Sequence, residues 1–509
     1  FEQAGDDDRT LKYFTLAGDV AARIYANEEA LQHYARALIA AKRSHATTAA
    51  MHLYAQRGRV LELSGRFSDA LANYDEMESH AIEHGDRSMK LASLIARGTL
   101  RSTPTPVADS AIGQTLSEQA LSLARELGDR KAEATILRNL MLLNNFAAHL
   151  NEAVEYGEQS LAIARDLGLR EQIAYTLNDL YRPYASIGEY ERARTVAEEA
   201  REFWRETSNF PMLADNLGRS ARILVALGEF DRALVFAEQA HQISHRIGNL
   251  WGQSFCRMFV GYVYLERGEM STGIQTMEEC IRLGDEAGFM MPQVATRADL
   301  GWIYGTLGAV DHGLELARVA RQRAEQRVPT FRTWALACLA RLYVMSDQLA
   351  EAETMVKEGY ATFTEDFAQH APFEMPLAEA ELALAKQDDA RAVSVIDGLL
   401  VRLDKFKIHS FRSDALHLKG KALIQLDRIA EARSVLHTAR AEAEALGSRR
   451  MLWQILAALS RIEIEHRETL RGQAREIVAY IAEHCPAEVR ASFLNLPDVR
   501  ALRTTHEPE

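Results

Sequence analysis

Two histidine pairs, His80/His84 and His241/His245, place imidazoles one turn apart on a helix, a spacing from which zinc sites are built. Zinc hydrolysis also needs a third ligand and a glutamate directly after the first histidine, and neither pair has that glutamate. Both read as solvated helix surface. Asp6-Asp7-Asp8 offers three carboxylates but lacks the glycine and closing glutamate of a calcium loop, so it reads as a solvated turn before a helix. The four cysteines, Cys256, Cys280, Cys338 and Cys485, form no CxxC pair and read as free buried thiols of a reducing cytoplasm. Nucleophile elbows (GxSxG), dinucleotide fingerprints (GxGxxG) and phosphate loops (GxxxxGK[ST]) do not occur in the sequence. Gly420-Lys421 lacks the leading glycine and lies within a helical pattern. No catalytic residue, cofactor or metal is assigned, and the chain is read as a binder and not an enzyme.

The residues suited to binding fall into two sets. Arg138, Asn145, Tyr175, Asn178, Arg182, Asp215 and Arg222 are polar and largely cationic, over 130–248. Phe255, Met258, Tyr262, Trp302 and Trp334, with Arg341, are largely aromatic, over 249–345. Arginine forks suit carboxylates or phosphates, and aromatic faces suit rings, sugars or apolar side chains. The junction of the two sets is the candidate ligand site. The same residues also suit the packing of a tightly curved interior, with the arginines paired to neighbouring acids, and both readings stand.

What would align these residues is a repeat. Gly188, Gly228, Gly268 and Gly308 recur every 40 residues, and the beat slips by one to Asp347 and resumes at Asp427. A second beat, half a period away, runs through Gly128, Gly168, Gly248, Gly288 and Gly447. Glycine just past a run of helix formers is a C-terminal cap, because it takes a left-handed backbone cheaply. Two interleaved beats therefore mean two helices per unit. Between them Leu300-Gly301, Tyr304, Gly313 and Ala320 follow the small-and-large pattern of a tetratricopeptide hairpin, as do Val260-Gly261, Tyr264, Gly273 and Cys280. Each hairpin leaves an apolar face that only a neighbour can cover. The prediction is an all-α chain: an α-solenoid, a right-handed superhelix of about 11–12 tetratricopeptide-like hairpins. An opening hairpin is expected over 1–45, the array over 46–448, and closing helices with a tail over 449–509. The segment from Arg101 to Pro106 is expected to break the helical pattern, and the array to bend near Pro372 and Pro376.

Composition agrees. Apolar residues make up 47% and charged residues 26% of the 509, with 11 prolines, which suits a folded helical chain and excludes a disordered one. The net charge of -13 has no basic cluster to track phosphates, so nucleic acid is not expected as a partner. No signal peptide or membrane span is visible, and a cytoplasmic location is expected. The chain opens at Phe1 in mid-pattern, as a fragment of a longer polypeptide would.

The 40-residue unit resembles the sensor arrays of MalT-like STAND regulators, signal-transduction ATPases with numerous domains. Phe1-Glu2-Gln3-Ala4-Gly5-Asp6, Leu16-Ala17-Gly18-Asp19 and Tyr25-Ala26-Asn27-Glu28-Glu29-Ala30 are similar to the segment that joins the ATPase to its repeats. Phe493-Leu494-Asn495-Leu496-Pro497-Asp498-Val499-Arg500 is similar to the closing helix of such arrays. The resemblance implies a regulatory domain that binds a small-molecule or peptide inducer in its concave groove. It also implies an upstream ATPase in the same polypeptide, whose activation and oligomerisation the array controls, and often a transcriptional output. The alternative is a protein-interaction scaffold holding a partner's peptide or helix. A groove open at both ends favours the scaffold, and an occluded pocket favours a small inducer.

Overall fold

The structure is a computed structural model that describes residues 5–24, 26–103, 107–147, 149–327, 331–361 and 371–503. Phe1 to Ala4 and Tyr25 of the family-like opening, and Pro104, Thr105 and Pro106 of the expected break, lie outside the described residues. Among the described residues there are 26 α-helices, one five-residue π-helix and no strand, in line with the all-α expectation. No helix is long and apolar enough to cross a membrane.

The chain divides into two compact units, 1–183 and 184–509, a boundary that the glycine beats do not mark. The first holds α1 (Asp7–Arg23), α2 (Asn27–Arg43), α3 (Thr47–Leu63), α4 (Phe67–Glu83), α5 (Arg87–Ser102), α6 (Ser110–Leu127), α7 (Arg130–Phe146) and α8 (Leu150–Asp166). The division falls within α9 (Arg170–Ser186). The second begins its own helices with α10 (Tyr190–Glu206), α11 (Phe210–Ala226), α12 (Phe230–Arg246), α13 (Leu250–Glu266) and α14 (Met270–Glu286). It continues with α15 (Arg297–Thr306), α16 (Val310–Arg327), α17 (Arg332–Met345), α18 (Leu349–Ala361), α19 (Ala371–Ala385) and α20 (Asp389–Lys405). The last are α21 (Arg412–Gln425), α22 (Ile429–Leu446), α23 (Arg449–Ile462), α24 (Arg467–Glu483), α25 (Ala487–Leu494) and α26 (Pro497–Arg503).

Most of the regular helices are 17 residues long and end in a left-handed turn residue that starts the next hydrogen-bonded turn. At one such turn Gly228 N–H donates to Val225 O and Glu229 N–H to Leu224 O, which satisfies carbonyls that the helix end leaves open. Asp129, Asn209 and Asn249 cap the starts of α7, α11 and α13 by accepting from the backbone three residues on. The beat is more regular than glycine alone reveals. Asp347, Gln387 and Asp427 hold φ of 58°, 61° and 56° at 40-residue intervals, and Ser208 fills the gap between Gly168 and Gly248 with φ of 52°.

Within hairpins, small residues admit large ones. In the first unit Gly18 receives the Tyr34 ring and Gly58 the Tyr74 ring, 40 residues later, and the two hydroxyls donate to Asp19 and Glu62. Two sequence expectations are corrected locally. Arg101 and Ser102 complete α5, so the expected break begins only at Thr103, whose backbone is extended. Pro376 lies inside α19. Asp6 is the N-cap of α1, accepting from Arg9 N–H, with Asp7 and Asp8 in its first turn where the helix dipole favours acids.

The second unit returns on itself. His409 N–H donates to Ala226 O, Ser271 N–H to His484 O, and Ser448 Oγ to Glu266 Oε2, joining residues roughly 180–210 apart in sequence. The glycine turns of the first beat form this seam. A side chain on Gly188 would overlap the Phe406 ring, one on Gly228 would come within 2.5 Å of Leu446, and one on Gly308 within 2.9 Å of the Ser492 carbonyl. Glycines of the second beat (Gly128, Gly168, Gly248, Gly288 and Gly447) face open space. A single apolar core then runs from Leu265 and Ile303 in the early helices to Leu456, Ile481 and Phe493 in the last ones.

Candidate functional site

Inside the second unit lies a narrow chamber of about 80 Å³, walled by α10, α11, α13, α14, α15, α17, α19, α21 and α23 and by the 406–411 connection. Its apolar wall includes Met258, Phe259, Tyr262, Trp334 and Phe373. A wider, more polar chamber of about 640 Å³ adjoins it, lined by Glu381, His417, Lys421 and Gln454 among others. Trp302, Arg341, Asp414 and Arg450 line both, so these four side chains form the wall between them.

Local structure places each of them. Gly284 makes room for Pro292, whose ring a Cβ there would meet at 2.5 Å. Pro292 opens the π-helical turn Pro292–Thr296, where Arg297 N–H reaches back to Pro292 O. That turn sets the register of α15, which carries Asp299 and Trp302. Trp334, Cys338 and Arg341 follow one another by four and three residues along α17, and so share one face.

The charges in this wall form two closed sets and one open one. Arg450 binds Glu266 (Nε to Oε1, 2.8 Å) and Asp414 (Nη1 to Oδ1, 3.0 Å; Nη2 to Oδ2, 2.8 Å), and all three are buried. Burial works against the Arg450 charge, but Asp414 and Glu266 outweigh it and hold the guanidinium well above its usual range. Arg341 binds Glu381 with both arms, at 2.9 and 2.6 Å, and lies over the Trp302 ring at 4.1 Å. Asp299 accepts from Trp334 Nε1 at 2.6 Å, and burial raises its carboxyl to about 7 against that hydrogen bond. Glu374 is 7% exposed and, among the described residues, its Oε2 has no hydrogen-bond partner. Burial first, and Asp299 second, push its carboxyl well above the usual range. Trp302 Nε1 is likewise buried without a partner. An unsatisfied buried polar group costs about 1–3 kcal/mol, so two facing one chamber need an explanation.

Of the residues read from the sequence, Met258, Tyr262, Trp302, Trp334 and Arg341 line the chamber. Phe255 does not, since it is buried against Trp251 and Phe259 in the neighbouring core. Arg138, Asn145, Tyr175, Asn178 and Arg182 belong to the first unit. There Arg138 pairs with Asp179 at 2.7 Å and lies over Tyr175 at 5.0 Å, and Asn145 and Asn178 are buried. In the second unit Asp215 pairs with Arg219 at 2.8 Å and Arg222 is half-buried, and neither lines the chamber. Glu266, Asp299, Glu374, Asp414 and Arg450 were missed. Only Glu374 carried a signal, a lone charge in the apolar stretch 371–378 that needs a partner when buried; Glu266, Asp299, Asp414 and Arg450 each stand within two residues of another charge and look like ordinary helix surface.

The histidine pairs differ from expectation. His80 is buried, not solvated, and burial lowers its pKa. Ligand atoms of His80, Glu83 and His84 lie within 4.8 Å of one another, although His84 Nδ1 sits 2.9 Å from His80 O. His241 is half-buried. All four cysteines are buried free thiols.

No family model and no curated protein matches the sequence. Solved structures similar to the chain include yeast Tom70 at 13% identity, covering 98% of this chain and 96% of that one, with a TM-score of 0.35. A Rap protein complexed with competence and sporulation factor matches at 11% identity over 78% of this chain and 98% of its own, with a TM-score of 0.43. The APC/C hetero-tetramer Cut9–Hcn1 matches at 14% identity over 97% and 96%, with a TM-score of 0.34.

Proposed function

We propose that this chain is a ligand-sensing helical-repeat module, and that its ligand is a small molecule held in the narrow chamber of the second unit. The observation that carries this reading is the chamber itself: an apolar space at the centre of a unit whose early and late helices meet, with buried polar groups left unsatisfied. Pockets of mostly apolar lining with a few convergent polar groups are where small ligands bind. Met258, Tyr262, Trp302, Trp334 and Arg341 are then its contacts. In the longer polypeptide that the 40-residue unit suggests, the module serves as the sensor arm of a MalT-like STAND regulator in the cytoplasm. It acts by differential affinity for two states of an attached ATPase and does no covalent chemistry.

The wider chamber supports a second reading, since its polar lining suits one end of a partner's peptide. A thermal-shift screen of small molecules and peptides against the wild-type chain and Ala226→Trp separates the two. Ala226 lines the narrow chamber, and an indole there fills it. Small-molecule stabilisation lost in A226W supports the sensor. Peptide hits indifferent to A226W, with no small-molecule hits, sink it.

A further inference from the structure

We propose that the narrow chamber takes an organic ammonium ion, an amine on a compact apolar body, with its charge against Glu374 and Asp299. The proposal rests on the reading of the chamber as a ligand pocket and adds the ligand's chemistry. Around the chamber Glu266 and Asp414 share Arg450, and Arg341 is held by both oxygens of Glu381. Among the described residues that leaves Asp299 and Glu374 as the chamber's acids with no ion pair, although the charge of Arg341, already held by Glu381, reaches both. Asp299 accepts from the Trp334 indole N–H and the Cys338 thiol, whereas the buried Glu374 Oε2 has no partner among the described residues. Phe259, Tyr262 and Phe373 line the same chamber, and aromatic rings suit both a cation and its apolar substituents. Once ionised the two acids repel an anion, and the chamber's two arginines are already held by other acids, while a neutral apolar ligand leaves Glu374 unsatisfied in a drier site. Trp302 Nε1, the other unpartnered group, asks for an acceptor elsewhere on the ligand.

The acids also predict a proton. Charged and titratable groups facing Glu374 are Asp299 on α15, Arg341 and Cys338 on α17, and Tyr262 on α13. Burial holds the Cys338 thiol and the Tyr262 hydroxyl well above their usual values, so among these groups Asp299 is the one that ionises near neutrality. Below about pH 7 the chamber keeps the Asp299 carboxyl protonated, and burial and Asp299 hold Glu374 well above the usual carboxylate range. An incoming ammonium then converts one carboxylic acid to a carboxylate, and that proton leaves to solvent.

Isothermal titration calorimetry of the full chain at about pH 6, in two buffers of different ionisation enthalpy, compares 2-phenylethylamine with the neutral isostere 2-phenylethanol. The amine is expected to bind at least tenfold tighter and to release close to one proton, with the alcohol releasing none. Glu374→Gln keeps the shape and is expected to weaken the amine at least tenfold while leaving the alcohol unchanged. Asp299→Asn provides the same check should E374Q fold poorly, as judged by its melting curve. Equal binding of amine and alcohol, no proton release, or an amine affinity indifferent to both variants overturns the ammonium. The alcohol keeps the two claims apart: if it binds and A226W blocks it, the chamber stands as a ligand pocket although the charge inference has failed. If neither compound binds, the ammonium proposal is overturned as well.

Discussion

The polar set of Arg138, Tyr175 and Asn178 and the aromatic set of Met258, Tyr262 and Trp302 follow the same 40-residue period, Arg138 to Asn178 in one and Tyr262 to Trp302 in the other, but have different surroundings. In the first unit Arg138 finds its acid, Asp179, about 40 residues away on the next first helix, and its aromatic face on Tyr175. That set is served by its immediate repeat neighbours. In the second unit the residues facing Trp302 include Arg450 and Asp414, well over 100 residues later. The aromatic set is therefore one half of a wall whose other half comes from another part of the chain. A repeat position says which way a side chain points, and the partner it meets depends on how far the array curls.

The largest test of this contrast removes the shared cation. Arg450→Ala leaves Glu266 and Asp414 buried without it, and should destabilise the chain by about 3–5 kcal/mol in equilibrium urea unfolding. The pH dependence of stability tests the open set. Asp299 is raised from 3.8 to about 7 in the folded chain, so the unfolded chain loses that proton first as pH rises. Stability should then fall between about pH 4 and 7 and level off above, by on the order of 4 kcal/mol, and Asp299→Asn should flatten the fall in melting temperature.

A third comparison sets seam against open turn. Gly308→Ala and Gly288→Ala share the cost of a left-handed alanine, about 1 kcal/mol, but the first also drives a methyl against the Ser492 backbone. G308A should lose about 1–3 kcal/mol more than G288A by thermal melting. Arg138→Ala is expected to have the smallest effect, about 1–2 kcal/mol, because Arg138 keeps 22% of its side chain exposed although Asp179 is buried. A loss as large as that of R450A would erase the distinction between the two sets.

The hairpins and their period were legible because each turn demands a residue that tolerates positive φ, and glycine marks most of them. Gln387 and Ser208 escaped because their residue types carry no such mark, although their backbones do the same thing. Met258, Tyr262, Trp302, Trp334 and Arg341 were found by column. Glu374 was not, since it sits in a less regular stretch beside Pro376, and nothing local says that Asp299 lies near it. The two glycine beats looked alike in sequence and differ in what lies beyond them. That difference arises from contacts made across the second unit, which no local pattern encodes.

The seam of the second unit has a consequence for the order of assembly. Hairpins can fold one by one as they leave the ribosome, since each needs only its predecessor. The narrow chamber cannot, because Arg450 belongs to its wall and Ile481 and Ser492, which meet Gly268 and Gly308, are later still. The pocket therefore cannot close until Arg450 and the helices after it have been made, roughly 180 residues or more after the glycine turns they meet. A nascent chain that stops short of Arg450 lacks one wall of the chamber, whatever the state of its earlier hairpins.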